Sequence, residues 1–234
     1  MNKAPSPALE LFLRLRASFF ERYLETQPEE ATTLGLHHLD DRLKDLSASA
    51  LGDEYAFHRD VLARLEHLPH EELPPEARLD RLAMLDVTRF HVHTYEDLRS
   101  HRRNVELSTY PHTMLQYQIG QAETAEDWSA IASRAARIPT FLQQQEQLLA
   151  EGLATREVPD PHIVHDFAED QLPVIVRYYE HLPALPGAHQ VELSPAGARE
   201  LQQAAREAQR AFASHRQFLL ERVLPHTHAN VVLG

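Results

Sequence analysis

Residues 31–47 read ATTLGLHHLDDRLKDLS, and this stretch contains the signals that end one helix and begin the next. It follows an amphipathic segment that ends at Pro28, and Gly35 is placed to stop a short second helix. Histidines, aspartates and an arginine then crowd residues 37–46, which is typical of a loop between helices. Ser47 is a preferred N-cap residue, so we expect a third helix to begin there. The stretch therefore predicts two helices joined by a polar loop.

Helix signals continue along the rest of the chain. A long helix is expected over about residues 76–104, and Tyr110-Pro111 reads as a break because the residue before a proline avoids the helical region. Pro139 should kink or divide the amphipathic segment that follows Thr124. A later helix, beginning at Ser194, carries an apolar stripe: Leu201, Ala204, Ala205, Ala208, Phe212, Leu219 and Val223.

Ser194-Pro195 places an N-cap serine before a proline at the first helical position, and the same pair of residues occurs near the N-terminus. The chain has only seven glycines. Strand-like alternation is confined to short runs around Val191 and at residues 231–233. We therefore predict an all-α fold of about seven or eight helices in a single domain over residues 1–234.

Composition excludes several classes of function. The chain carries 23 Lys and Arg against 35 Asp and Glu, a formal net charge of −12. An acidic surface repels phosphate backbones, so we expect no nucleic-acid partner. The absence of cysteine excludes disulfides and thiolate ligands. No run approaches the roughly 18 apolar residues of a membrane span, and the N-terminus lacks an apolar signal core. We therefore expect no membrane association and a cytoplasmic location.

The zinc motif H-E-x-x-H does not occur in this sequence. That motif places two histidines four residues apart on a helix, with a glutamate that activates a bound water molecule. The nearest approach is His70-Glu71, but Pro74 stands where the second histidine would be. A G-x-S-x-G nucleophile elbow and glycine-rich phosphate loops are also missing. These motifs therefore give no catalytic assignment.

A different set of metal-ligand residue types begins at His162. His165, Asp166 and Glu169 follow at i+3, i+4 and i+7, so all four residues fall on one face of a helix. Imidazole and carboxylate groups can ligate zinc or manganese, which would permit a metal-dependent hydrolase. The alternative is a solvated helix start, where acidic residues are favoured.

Two histidine pairs have the spacing H-x-H. His91 and His93 lie on a predicted helix, where residues i and i+2 point to roughly opposite sides. We therefore expect that they do not chelate one ion together. His226 and His228 follow a proline, and an extended backbone there would align them. The alternative for this second pair is a disordered tail.

The polar loop is itself a candidate functional surface. Among the polar residues that it carries within a short distance are His37, His38, Asp40, Asp41, Arg42 and Asp45. Dense polar loops between helices often hold binding residues. The alternative is a local role, in which an aspartate caps a turn and the arginine pairs with an adjacent carboxylate.

The same stretch resembles the opening signature of the bacterial domain-of-unknown-function family 885. The family pattern is A-T-x-L-G followed by D-x-R-L-x-D-x-S, matched here by Ala31, Thr32, Leu34, Gly35, Asp41, Arg42, Leu43, Asp45 and Ser47. Other stretches fall in family-like order: RLDRLAMLD at 78–86, RAARIPTFLQQQEQLL at 134–149 and FLLERVLPHTHANVVLG at 218–234. The resemblance spans essentially the whole chain.

That family resembles zinc metallopeptidases of the H-E-x-x-H clan. The resemblance implies mostly helical proteins that are longer than this chain and carry the zinc motif in their second half. No catalytic or metal-binding residue of the family is matched here. We therefore expect no cofactor in this chain, zinc only in a C-terminal half, and an N-terminal helical half that is non-catalytic alone.

The resemblance also implies a role for that half, as one wall of a substrate channel. Candidates for the wall are the polar loop and the segment that carries Tyr110, His112 and Gln116. Expected partners are a peptide substrate, the C-terminal half, or a second copy bound through an exposed apolar face. The alternative is an independent helical binding or scaffold protein.

Overall fold

The computed structural model describes residues 6–227. Every regular element in this range is helical and no strand occurs in it, which confirms the all-α prediction. His228 and the strand-like run at 231–233 lie outside the described residues. In chain order the α-helices are α1 Pro7–Thr26, α2 Pro28–Thr33, α3 Ala48–Glu66, α4 Pro75–Glu96, α5 Tyr110–Ile119, α6 Ala125–Ala135, α7 Ile138–Thr155, α8 Pro161–His165, α9 Leu172–His181, α10 Leu185–Ala188 and α11 Pro195–Phe218.

The described residues form two compact units. The first unit holds residues 6–26 and 47–100, and it contains α1, α3 and α4. The second unit holds residues 27–46 and 101–227, and it contains the other α-helices. A single domain over residues 1–234 stays a prediction.

The first unit is a three-helix cluster with an apolar core. The stripe of α1 that includes Phe12 and Phe19 packs with Leu65 of α3 and Met84 of α4. These four side chains are at most 4% exposed, so the hydrophobic effect holds the helices together. Ser47 caps α3 as predicted, because its Oγ accepts a hydrogen bond from the N–H of the third helical residue at 3.3 Å.

In the second unit, α11 packs against α6, α7 and α9. Its buried side chains include the stripe that the sequence predicts: Leu201, Ala204, Ala205, Ala208 and Phe212. Three of these are alanines, so neighbouring helices can approach closely. Trp128 of α6 and Phe141 of α7 are also buried in this unit, and they supply large apolar surfaces to its core.

Prolines shape the helices of the second unit. Pro139 divides one long amphipathic segment into α6 and α7, as predicted. Pro173 and Pro225 are each preceded by a π-helical turn, at Asp166–Gln171 and Leu219–Val223. A proline has no N–H, and its ring meets the carbonyl four residues earlier. A widened turn accommodates that ring, which accounts for the position of both turns.

Two boundaries differ from the sequence expectation. The helix expected over residues 76–104 ends at Glu96, and short 3₁₀ turns follow it. Tyr110-Pro111, which reads as a break, instead begins α5. Proline is tolerated in a first helical turn because the N–H groups there have no partner within the helix. The dipeptide therefore marks a helix start.

Large apolar side chains remain exposed on α1 and α4 of the first unit. Phe20 is 50% exposed, Leu79 68%, Leu82 53% and Phe90 64%. Such a face is a candidate association surface, although the predicted self-association stays a prediction. No helix among the described residues is both long enough and apolar enough to cross a membrane.

Gly152 on α7 is a position where the packing leaves no room for a side chain. A Cβ added there would lie 2.1 Å from the carbonyl oxygen of Arg102 and 2.7 Å from that of Glu157. Both atoms belong to the backbone, so the structure must shift. We expect Gly152→Ala to lower the free energy of unfolding by about 3 kcal/mol, measured by urea denaturation.

The matched control for this prediction is Gly187→Ala in the same unit. No atom lies within 4 Å of a Cβ added at that position. We expect a change within about 0.5 kcal/mol, as for other sites without special features. Equal losses in the two variants would contradict the packing argument.

Candidate functional site

The side chain of Arg134 on α6 is fully buried and holds residues 37–46, which we call the signature loop. Its Nε donates to the carbonyl oxygen of Arg42 at 2.8 Å, and its Nη2 donates to that of Leu39 at 3.1 Å. Nη2 also donates to Oγ1 of Thr32 at 2.7 Å. A guanidinium presents its donors in a rigid fork, so this one side chain fixes the loop backbone at two points.

Further side chains, from the turn after α6 and from α7, also hold the loop. The Nε of Arg137 donates to the carbonyl oxygen of Asp41 at 2.7 Å. The amide of Gln144 accepts from the N–H of Leu46 at 2.9 Å and donates to Oδ1 of Asp45 at 2.7 Å. Backbone groups of a loop need such partners when they are removed from water. The loop path is therefore set by side chains from outside it.

A buried carboxylate lies beside this arginine. Glu29 on α2 is fully buried, and its Oε1 accepts a hydrogen bond from the N–H of Lys44 at 2.9 Å. Burial raises the pKa of Glu29, although the Lys44 hydrogen bond and the charge of Arg134 act in the opposite direction. Oε2 of Glu29 and Nη1 of Arg134 are both buried without a hydrogen-bond partner in the protein. Their opposite charges therefore offset part of each other's burial cost.

The predicted loop residues separate into a buried and an outward set. Asp40 is buried, since one carboxylate oxygen accepts from Oγ1 of Thr32 at 2.6 Å and the other lies 2.9 Å from Nδ1 of His37. The local interpretation therefore applies to Asp40. The side chains of His37, Asp41 and Arg42 are 65%, 46% and 55% exposed.

Each of these three outward side chains already has a polar neighbour in the protein. His37 faces Asp40. The carboxylate of Asp41 lies 3.8 Å from Nε of Arg42 and 3.5 Å from Nη2 of Arg137. The local pairing of Arg42 with an adjacent carboxylate is therefore present. Ion pairs this exposed are weak, so these side chains can still meet a partner.

A small polar depression adjoins the signature loop within the second unit. Its volume is about 190 Å³, and its lining includes Lys44 and Asp45 of the loop with Arg137, Thr140 and Gln144. Two of these residues are cationic and one is anionic. The depression therefore offers both donors and acceptors to a polar group.

The second predicted wall segment lies on α5. Gln118 Nε2 donates to the carbonyl oxygen of Asp40 at 3.2 Å, so the structure ties α5 to the signature loop. Gln116 is exposed, Tyr110 is half-buried and His112 is buried. Of the three predicted residues, only Gln116 is exposed.

His112 belongs to an aromatic cluster of the core. Its ring centroid lies 4.8 Å from that of Tyr178, 5.8 Å from that of Tyr179 and 6.5 Å from that of Phe212. Burial lowers the pKa of His112 to about 4. Its Nδ1 is buried without a hydrogen-bond partner in the protein. The residue is therefore a neutral core ring at physiological pH.

All four residues of the predicted metal set are exposed, but they do not share one helix. His162 and His165 lie on α8, whereas Asp166 and Glu169 lie in the π-helical turn that follows it. Asp166 accepts a hydrogen bond from Gln171 at 2.7 Å, and Glu169 pairs with Arg216. A π-helical turn begins at Asp166, so the side-chain spacing of an α-helix does not continue through the set. In the described part of the chain, no three of these residues bring their ligand atoms within 4.8 Å of one another.

A buried serine–histidine–glutamate network was not predicted from the sequence. Ser108 Oγ lies 2.9 Å from Nε2 of His215, and Nδ1 of the same ring lies 3.1 Å from Oε1 of Glu146. This is the hydrogen-bond order of a catalytic triad. However, Ser108 and His215 are 0% exposed, and Gln145 donates to the serine hydroxyl at 3.2 Å. A substrate cannot reach this hydroxyl, so the network is a structural tie between helices.

The first unit contains an apolar groove between α1 and α4. Its volume is about 330 Å³, and its apolar lining includes Phe19, Phe20, Met84 and Val87. The ion pair between Arg16 and Asp80, at 2.5 Å, also lines the groove. An apolar cleft with a few polar groups is the usual form of a ligand site.

The first unit also brings together a cluster that the sequence did not indicate, formed by Glu54, His58 and His91. The sequence relates His91 to His93, whereas its spatial neighbours lie on another helix. The i, i+4 spacing of Glu54 and His58 was the available signal, because such residues share a helix face.

Comparison with known protein families identifies the family of this chain. A family model described as "Bacterial protein of unknown function (DUF885)" matches residues 28–231. The chain belongs to this family. The matched range includes the signature loop and the stretch at 134–149. No curated protein matches the sequence.

One solved structure shares the fold of this DUF885 member. It is described as a candidate lipoprotein of unknown function from Shewanella oneidensis. The similarity covers 91% of this chain with a TM-score of 0.71 and a sequence identity of 15%. At that identity the likeness concerns the fold alone. The matched part spans 37% of that protein's chain.

Two family-like stretches of the DUF885 member contact each other. The signature loop is bound by Arg134, Arg137 and Gln144, and all three belong to the stretch at 134–149. The signature therefore has a structural basis in this protein. Its outward side chains, rather than the whole motif, form the candidate site.

Arg134→Lys tests the clamp, the name we give to the hydrogen bonds by which Arg134 holds the signature loop. A lysine keeps the charge but cannot reproduce the rigid fork, so buried carbonyl oxygens lose their donors. We expect the free energy of unfolding to fall by about 3 kcal/mol, the range for a broken buried charge network. Urea denaturation provides the measurement. Arg137→Lys is the control and should cost less than about 1 kcal/mol, because its side chain is 53% exposed. Similar losses in both variants would count against the clamp.

The buried ring of His112 predicts a pH effect. Its pKa falls from 6.5 to about 4 on folding, so the unfolded chain binds more protons between these values. The neutral buried ring therefore contributes fully to stability above about pH 6.5, and this contribution is lost as the pH falls towards 4. It amounts to about 3 kcal/mol at 1.36 kcal/mol per pKa unit.

The test measures the free energy of unfolding at several pH values for the wild type and for two variants, and compares its slope against pH. His112→Gln should remove that part of the slope between pH 6.5 and 4, whatever its effect on overall stability. His165→Gln, at an exposed histidine of the same unit, serves as the control. An unchanged slope in His112→Gln would show that this ring does not titrate as described.

Proposed function

We propose that this chain supplies a peptide-binding wall in the architecture of its family and performs no catalysis alone. The observation that carries the proposal is the fixed backbone of the signature loop. Arg134 and Arg137 bind its carbonyl oxygens, while Asp41 and Arg42 keep their side chains outward. A loop that is already ordered loses little entropy when a partner binds.

The chemistry of the loop face fits a peptide chain. An extended peptide presents carbonyl oxygens, amide N–H groups and a terminal carboxylate. Arg42, and Lys44 and Arg137 at the depression, can donate to the oxygens and the carboxylate. The carboxylate of Asp41 can accept from amide groups. On α5, Gln118 contacts the loop, whereas the exposed Gln116, two residues earlier, points to a different side of the helix.

The peptide ligand is proposed from the resemblance to zinc metallopeptidases noted for the sequence. In that account, zinc and the catalytic residues belong to a C-terminal half of the family architecture. The Shewanella oneidensis structure supports a larger architecture, because this fold spans 37% of that chain. A cytoplasmic location remains a prediction.

The alternatives receive different support from the geometry. An independent binding or scaffold role is supported by the apolar groove and by the exposed apolar side chains of α1 and α4, which could accept a second copy. A metal-dependent hydrolase at the His162 set has less support, since Asp166 and Glu169 are engaged by other side chains. Of the three functions, only the peptide-binding wall gives a role to the fixed backbone and the outward side chains of the signature loop.

Peptide binding by the full chain tests the proposal. The probe is a fluorescein-labelled pool of random-sequence nonapeptides, and fluorescence anisotropy reports binding. Arg42→Ala removes the outward guanidinium but leaves the backbone carbonyl that Arg134 binds. We expect about tenfold weaker binding, the effect of losing one charge-assisted hydrogen bond.

Arg199→Ala is the matched control, because Arg199 is an exposed arginine of the same unit. This variant changes the net charge equally and should bind peptides as the wild type does. Equal binding by both variants, or no binding by the wild-type chain, would overturn the proposal. Release of new amino termini from peptides by the wild-type chain with added zinc would contradict its non-catalytic part.

A further inference from the structure

Glu54, His58 and His91 bring three metal-ligand side chains together in the first unit. Glu54 and His58 are four residues apart on α3, and His91 is on α4. Among the described residues, this group alone has three ligand atoms within 4.8 Å of one another. Glu54 Oε1 lies 3.9 Å from Nδ1 of His91. Two helices therefore bring one carboxylate and two imidazoles into one cluster.

Aromatic rings surround the cluster. The ring of Phe57 lies 5.3 Å from that of His58, and the ring of Tyr23 lies 5.9 Å from that of His91, both edge-on. Glu54 is 7% exposed and His58 is 1% exposed. Neutral imidazole is the form that ligates metals, so metal binding would displace any proton that occupies a ligating nitrogen. A bound cation would also neutralise the buried carboxylate.

The two imidazoles are stacked, with centroids 4.1 Å apart and an interplanar angle of 4°. The lone pair of an imidazole nitrogen lies in the ring plane. Lone pairs in two stacked, parallel planes do not meet at one ion, so one ring must turn about its Cβ–Cγ bond. His91 is the ring that can turn, because its side chain is 26% exposed whereas His58 is enclosed.

The spacing also requires the ligands to close in on the ion. In a tetrahedral zinc site, bonds of about 2.0–2.2 Å place two ligand atoms about 3.3–3.6 Å apart. The ligand atoms of the cluster lie within 4.8 Å of one another. Binding therefore requires a turn of the His91 ring together with a closure of up to about 1.5 Å between ligand atoms.

We propose that Glu54, His58 and His91 bind one divalent transition-metal ion of the zinc and cobalt class. Imidazole ligands favour such ions over magnesium and calcium, which prefer oxygen ligands. Three protein ligands leave a fourth position open. The ion would join α3 to α4, so binding should also stabilise the first unit. This inference does not depend on the proposed function, which concerns the second unit.

Cobalt(II) binding by the full chain tests the inference. The protein is first treated with a chelator, and Co²⁺ is then added while the visible d–d absorption is recorded. We expect saturation at one equivalent. His91→Phe keeps an aromatic ring on the stack, so the variant should fold, and far-UV circular dichroism checks this. We expect its Co²⁺ affinity to fall by at least about tenfold, since even outer-shell changes cost that much.

His93→Phe is the matched control. His93 is an exposed histidine of the same helix, with Nδ1 2.7 Å from Oδ2 of Asp97. This variant should keep the wild-type affinity. Equal losses in the two variants, or no one-equivalent saturation in the wild type, would overturn the metal site. Coupled titration of the two ring signals in NMR spectra, without Co²⁺ binding, would show a proton-sharing pair instead and would also overturn it.

Discussion

The fully buried guanidinium of Arg134 is the constraint on which the candidate site depends. A charge removed from water must find hydrogen bonds and opposite charge inside the protein. The carbonyl oxygens of Leu39 and Arg42, the hydroxyl of Thr32 and the charge of Glu29 supply them. These groups converge only when the signature loop follows one backbone path. The position of the loop is therefore tied to satisfying this side chain, and Arg137 and Gln144 fasten the loop further.

This constraint divides the loop between two roles. Asp40 and Asp45 accept hydrogen bonds within the protein, so they hold the loop in place. Asp41 and Arg42 accept hydrogen bonds through their backbone carbonyls, and their side chains face solvent. The same residues can thus be structural through the backbone and functional through the side chain. The first unit differs, because its apolar groove and its Glu54 cluster point to ligands of other chemistry.

The sequence predicted features that depend on neighbours along the chain. The cap at Ser47, the stripe of α11 and the division at Pro139 are of this kind. Pairings between distant residues could not be predicted, since Ser108 and His215 are 107 positions apart and Arg134 and Arg42 are 92 apart. Arg134 and Arg137 look alike in sequence, yet one is buried and the other exposed. Only the packing of α6 on the loop distinguishes them.

Amide hydrogen exchange of the wild-type chain tests the central claim most directly. The N–H of Lys44 donates to Glu29, and that of Leu46 donates to Gln144. If side chains fix the signature loop, both amides should exchange as slowly as helical amides of α7. Exchange of these two amides at the rate of an unstructured peptide, while α7 stays protected, would contradict the account.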